Sequence, residues 1–220
     1  IIHMKQLSNP QSIKLVFVGN VDHGKSTLVG RLLEGTNTLP ESAVQKVKNY
    51  CERQGRPFEH AFLLDALQEE QEQGITIDIT KIEFSTGKNP DDKQFTIIDA
   101  PGHKEFLKNM ISGSAQAEAA ILLVDAQEGL RDQTKKHAYL LSLLGISQLY
   151  VVINKMDLVA YAHKRFEDLK QELTDYLSRI HLSPHHFIPI SAKDGDNVLD
   201  HSTKMPWYTG KTVLESLREV

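Results

Sequence analysis

The chain alternates short apolar runs with longer stretches in which apolar residues recur every three or four positions. Lys14-Leu15-Val16-Phe17-Val18 reads as a buried strand and ends at a glycine. A helical pattern follows over 25–34, and two more over 40–53 and 60–72, split by the turn residues Gly55-Arg56-Pro57. The segment 77–84 alternates apolar and polar side chains, as a strand with one wetter face does. Turn residues over 87–92 then predict a hairpin back into a strand at 95–98. Beyond it the pattern gives a helix at 104–116, a strand at 119–124, a helix at 133–144 and a strand at 149–153. A helix at 163–180, a strand at 187–190 and a helix at 211–217 complete the series. Strands alternating with helices of this length predict parallel β-α-β units in a doubly wound α/β sheet. Such sheets bind ligands beyond the carboxyl ends of their strands, so the residues after each strand are where chemistry is sought.

After the first strand stands Gly19-Asn20-Val21-Asp22-His23-Gly24-Lys25-Ser26-Thr27, which fits G-x-x-x-x-G-K-[ST] between a strand and a helix. Average composition produces that pattern by chance in about one chain of this length in 150, so its position at a strand end decides its reading. Backbone N–H groups of Asn20 through Thr27 would cradle phosphate oxygens, Lys25 would place a point charge on the outer phosphates, and the Ser26 hydroxyl is a hard ligand for Mg²⁺. The strand ending at Ile98 runs into Asp99-Ala100-Pro101-Gly102-His103. Asp99 stands where a metal-side carboxylate is held, Gly102 can offer its N–H to a γ-phosphate, and His103 can orient an attacking water. Thr76, ahead of the second strand, would complete the Mg²⁺ shell only while a γ-phosphate is present.

The fifth strand leads into Asn154-Lys155-Met156-Asp157. A carboxylate at Asp157 accepts from guanine N1–H and the 2-amino group, whereas adenine would leave it unpaired; such sites discriminate by about 10⁴–10⁵. The Lys155 stem can lie along the base, Asn154 would tie this loop to the phosphate loop, and Ser191-Ala192-Lys193 can give an N–H to guanine O6. The expected ligands are therefore GTP, GDP and Mg²⁺, with His103 and Lys25 catalytic.

Composition narrows the setting. The 220 residues are 40% hydrophobic and 25% charged, an ordinary globular balance. One cysteine, Cys51, excludes an internal disulfide framework and fits a reducing, cytoplasmic setting. The net charge of -4 argues against nucleic acid as a partner of this domain. No apolar run is long enough to span a bilayer. Residues 1–12 read as a disordered or tag-derived extension, with Met4 as a natural start, and 13–220 as one domain.

Together these motifs resemble the P-loop GTPase superfamily, in the translation-factor class. The resemblance implies a G domain with a mostly parallel six-stranded sheet and one antiparallel edge strand. It also implies that the chain is a fragment of a longer protein with C-terminal β-barrel domains. Two subfamilies fit. Gln73 and the segment Asp132-Gln133-Thr134-Lys135-Lys136-His137 resemble the GTPase subunit of bacterial sulfate adenylyltransferase. This implies GTP hydrolysis driving sulfate activation, with the small catalytic subunit of that enzyme as partner. The alternative is an elongation factor 1-alpha-like GTPase that delivers aminoacyl-tRNA, to which Phe106-Leu107-Lys108-Asn109-Met110-Ile111 and His23 lean. By the same resemblance Val21 and Ile75 form an apolar gate beside His103. With no arginine beside Thr76, intrinsic hydrolysis is expected to be slow.

Overall fold

The computed structural model describes residues 12–66, 81–87, 92–98 and 117–220. Six strands form one sheet in the order β2-β3-β1-β4-β5-β6. They are β1 (Ile13–Gly19), β2 (Lys81–Ser85), β3 (Gln94–Ile98), β4 (Ala119–Asp125), β5 (Gln148–Asn154) and β6 (Pro184–Pro189). β2 runs antiparallel to β3, and every other neighbouring pair is parallel. This is the expected doubly wound α/β sheet with one antiparallel edge strand. Of the strand anticipated at 77–84, residues 77–80 lie outside the described residues, as does the helix anticipated at 104–116.

Five α-helices are described: α1 (Lys25–Gly35), α2 (Glu41–Arg53), α3 (Asp132–Leu143), α4 (His163–Arg179) and α5 (Val213–Leu217). A further helical stretch covers 61–66. Observed ends differ from the sequence reading by one to three residues, as fraying and strand-end pairing predict. Pro40 does not enter α2 but caps it, with a fixed φ of -58. Thr212 likewise stays outside α5, where it forms a capping box with Glu215.

Strand period divides the core. Leu15 and Phe17 point to one face of the sheet, Val16 and Val18 to the other. The first face is covered by α1, through Leu28, Leu32 and Leu33, and by Val213 and Leu217 of α5. The second is covered by Ala138 and Leu141 of α3 and by Phe166, Leu169, Leu173 and Leu177 of α4. The central strand β4 is buried at every position, which its unbroken apolar sequence requires. Each fully buried Leu or Phe contributes about 1.5–3 kcal/mol of transfer free energy, so this two-sided core is what holds the strand ends in place.

Among the described residues no helix is long and apolar enough to cross a membrane.

Candidate functional site

The carboxyl ends of β1, β4, β5 and β6 converge on one edge of the sheet. The loop after β1 closes on Gly24, which takes the left-handed conformation at φ 90 and caps α1. A Cβ there would lie 2.4 Å from Asn154 Nδ2, so only glycine fits both the dihedral and the space. No side chain caps the helix, which leaves its first N–H groups directed along the axis for an anion. Lys25 arches back over the loop, donating to the Gly19 carbonyl at 2.7 Å and the Asn20 carbonyl at 2.9 Å. Val21 stands 83% exposed at the tip.

His23 is in the loop but fully buried. Its ring lies 3.2 Å from the Leu123 carbonyl through Nδ1 and 3.4 Å from Glu128 Oε2 through Nε2. The side chain is thus directed into the sheet, away from the loop's own backbone.

Asn154 ends β5 and is buried. It donates from Nδ2 to the His23 carbonyl at 2.8 Å and accepts the Ala192 N–H at Oδ1 at 2.9 Å. One amide therefore joins the phosphate loop, β5 and the loop after β6. Lys155 is left-handed at φ 63 and leads into a 3₁₀ turn over Met156–Val159. The Ser191 hydroxyl donates to Asp157 Oδ1 at 2.8 Å, which leaves Oδ2 for a ligand. Gly24 and Lys25 after β1, Asn154 and Asp157 at the end of β5, and Ser191 and Ala192 after β6 are thus tied together from three strand ends. Thr76, Asp99, Gly102 and His103 lie outside the described residues.

Four further residues shape the site and escaped the sequence reading. Asp125, at the end of β4, pairs with Lys155 Nζ at 2.7 Å and accepts the Gln127 N–H at 2.7 Å. Burial opposes its charge, but the Lys155 ammonium and the Gln127 and Glu128 amides outweigh it and hold the carboxyl below its ordinary value. Register places Asp125 directly beside Asn154, so the same strand-end rule could have found it. Tyr161 donates to Asp194 at 2.7 Å, and Lys204 donates to Asp194 at 2.9 Å. Burial pushes the Tyr161 phenol up to about 12, with Asp194 and Asp196 adding to the shift against Lys204. Arg31 of α1 reaches the loop after β6 and donates from Nε to the Ala192 carbonyl at 2.6 Å.

The described residues carry the donor and acceptor chemistry that the expected groups need. The uncapped start of α1 offers N–H donors of the kind phosphates take, and half-buried Asp157 has only its Oδ1 bonded to Ser191. Ser26 is the described residue that would hold Mg²⁺.

The profile of the elongation factor Tu GTP binding domain matches residues 10–219. The chain belongs to that family and is a P-loop GTPase of the translation-factor class. It is 46% identical to elongation factor 1-alpha of Pyrococcus woesei over 217 residues, covering 99% of this chain and 49% of the relative. It is 47% identical to elongation factor 1-alpha of Pyrococcus furiosus over 208 residues, covering 94% of this chain and 47% of the relative. The chain therefore spans about half the length of these curated relatives. Among solved structures, Sup35 complexed with GDP aligns at a TM-score of 0.66 and 26% identity, over 99% of this chain and 47% of that one.

These relatives overturn the sulfate adenylyltransferase reading. Identity of 46–47% across nearly the whole chain runs to elongation factor 1-alpha. Neither sulfate activation nor the small catalytic subunit as partner is retained. Of the two features that suggested it, Gln73 lies outside the described residues and the segment 132–137 is the start of α3. There Asp132 is 93% exposed and pairs with Lys135 at 3.6 Å, as an acidic first turn does in any helix. Such positions are set by local helix electrostatics and are poor markers of a partner. The exclusion of nucleic acid falls with the same finding, because a net charge summed over a chain does not locate charge on a face.

Proposed function

We propose that the chain binds GTP and GDP with Mg²⁺ and hydrolyses GTP as the nucleotide-dependent timer of an elongation factor 1-alpha-like translation GTPase. The Asn154 bridge carries this reading. A residue bonded at once to the phosphate loop and to the base-reading loop makes sense when one ligand spans both. The names of the relatives support the translational setting, in which the whole protein would deliver aminoacyl-tRNA to the ribosome.

In this reading the loop amides and Lys25 neutralise charge on the transferring phosphoryl group. Asp157 reads guanine N1–H and the 2-amino group, while the loop after β6 reads O6. Ser26, with Thr76 and Asp99 by family resemblance, would hold Mg²⁺, which would supply charge neutralisation to the phosphates. Gly102 contacts the γ-phosphate and His103 orients the water, both assigned by family resemblance. GDP should bind far more tightly than ADP, and turnover by the chain alone should stay below about 10⁻² s⁻¹ and rise with ribosomes. Equal affinity for ADP and GDP refutes the guanine site. Unstimulated turnover of tens per second refutes the timer.

A further inference from the structure

We propose that Arg31 is a positioning residue for guanine recognition: it fixes the peptide planes from which the loop after β6 presents its N–H to guanine O6. The inference rests on the guanine-site reading above and assigns the O6 contact within it.

Arg31 lies on α1 less than two helical turns beyond Lys25, so the helix that starts at the phosphate loop also carries this guanidinium. Its Nε donates to the Ala192 carbonyl at 2.6 Å, and Nη2 donates to the Lys193 carbonyl. Two parallel donors on a rigid fork hold two consecutive carbonyls on the same side, which a single ammonium cannot do. Gly195 makes the approach possible. It is left-handed at φ +92, and a Cβ there would sit 2.7 Å from Arg31 Nη1.

Trans peptide geometry carries the consequence across the loop. The C=O of one residue and the N–H of the next lie in one plane and point in opposite directions. Holding the Ala192 carbonyl toward α1 therefore turns the Lys193 N–H to the opposite side. Holding the Lys193 carbonyl likewise turns the Asp194 N–H away from α1, and it is found 3.2 Å from Ser191 Oγ. That hydroxyl in turn donates to Asp157. The Ala192 N–H is already bonded to Asn154. The Lys193 N–H is accordingly the O6 donor, and Arg31 sets its direction without touching the base.

The test is a set of affinities measured by calorimetry on the 220-residue chain and on R31M and R31K. The nucleotides are GDP, 6-thio-GDP and IDP. Sulfur is a weak acceptor, so 6-thio-GDP changes the O6 contact alone. IDP lacks only the 2-amino group read by Asp157. The wild-type chain should prefer GDP over both. In R31M the affinity for GDP should fall about tenfold, the scale of one charge-assisted hydrogen bond. Its preference for GDP over 6-thio-GDP should collapse toward unity, while its preference over IDP persists. R31K, which can hold one carbonyl at a time, should lie between. An equal loss for all three nucleotides shows a merely structural Arg31 and overturns the inference, as do unchanged affinities. A wild-type chain indifferent to all three overturns the guanine-site reading itself, and this inference with it.

Discussion

Replacing Asn154 by Ala should uncouple the two halves of the nucleotide site. The side chain is 1% exposed and makes two hydrogen bonds, 2.8 Å to the His23 carbonyl and 2.9 Å to the Ala192 N–H. Truncation leaves both backbone groups buried without their partner. Each unsatisfied group costs about 1–3 kcal/mol, so the pair costs roughly 2–6 kcal/mol, reduced where water enters the space. With a urea slope of about 2–3 kcal/mol/M, the midpoint should fall by roughly 1–3 M. Trp207 reports the transition, since its indole donates to the Tyr161 carbonyl at 3.1 Å and is freed on unfolding. The second readout is GDP itself. Saturating GDP stabilises the wild-type chain by RT ln(1 + [L]/Kd), and a variant with misaligned loops gains less at the same concentration. If N154A unfolds at the wild-type midpoint and gains as much from GDP, the bridge does not couple the loops, and the reasoning fails.

Asp157→Asn should convert guanine preference to xanthine preference, because an amide offers a donor where xanthine carries a carbonyl; unchanged GDP affinity in a binding assay overturns the base assignment. Gly24→Ala places a Cβ in a left-handed residue and against Asn154, and should lower thermal stability by about 1–3 kcal/mol and weaken GDP binding together. Asp125→Asn should cost about 1–3 kcal/mol at neutral pH through loss of the charged pairing with Lys155. Since the folded-state pKa of Asp125 is lowered, its stabilisation is full above the ordinary aspartate range and is lost as pH falls below about 4. The gap between wild-type and D125N melting temperatures should therefore close in acid, and a gap that is constant from neutral pH to pH 3 contradicts the pairing.

The fold was legible because its elements announce themselves locally. The run Ala119–Val124 has no polar position and became the central strand, and the period of 163–180 became the amphipathic α4. The nucleotide motifs were legible because backbone conformation demanded particular residue types, as Gly24 shows. His23 was legible in sequence but not in direction. Its backbone was read as part of the phosphate cradle, and that reading carried nothing about the ring, which faces the Leu123 carbonyl. Strand–loop geometry decides which way a side chain points, and a one-dimensional pattern does not carry it. The subfamily was misread for a related reason, since solvent-facing residues such as Asp132 answer to the nearest helix end.

Arg31 and Asp125 were illegible for a different reason, and it bears on how the site is built. Each bonds across a long sequence separation, from α1 to the loop after β6 and from β4 to the loop after β5. No local motif encodes such a contact. Yet these long-range bonds, with Asn154, are what hold loops from four strand ends in mutual register. The motif residues supply groups able to touch a nucleotide, whereas the cross-links set the distances between them. Because Arg31 shares α1 with Lys25, one helix joins the phosphate loop to the loop after β6.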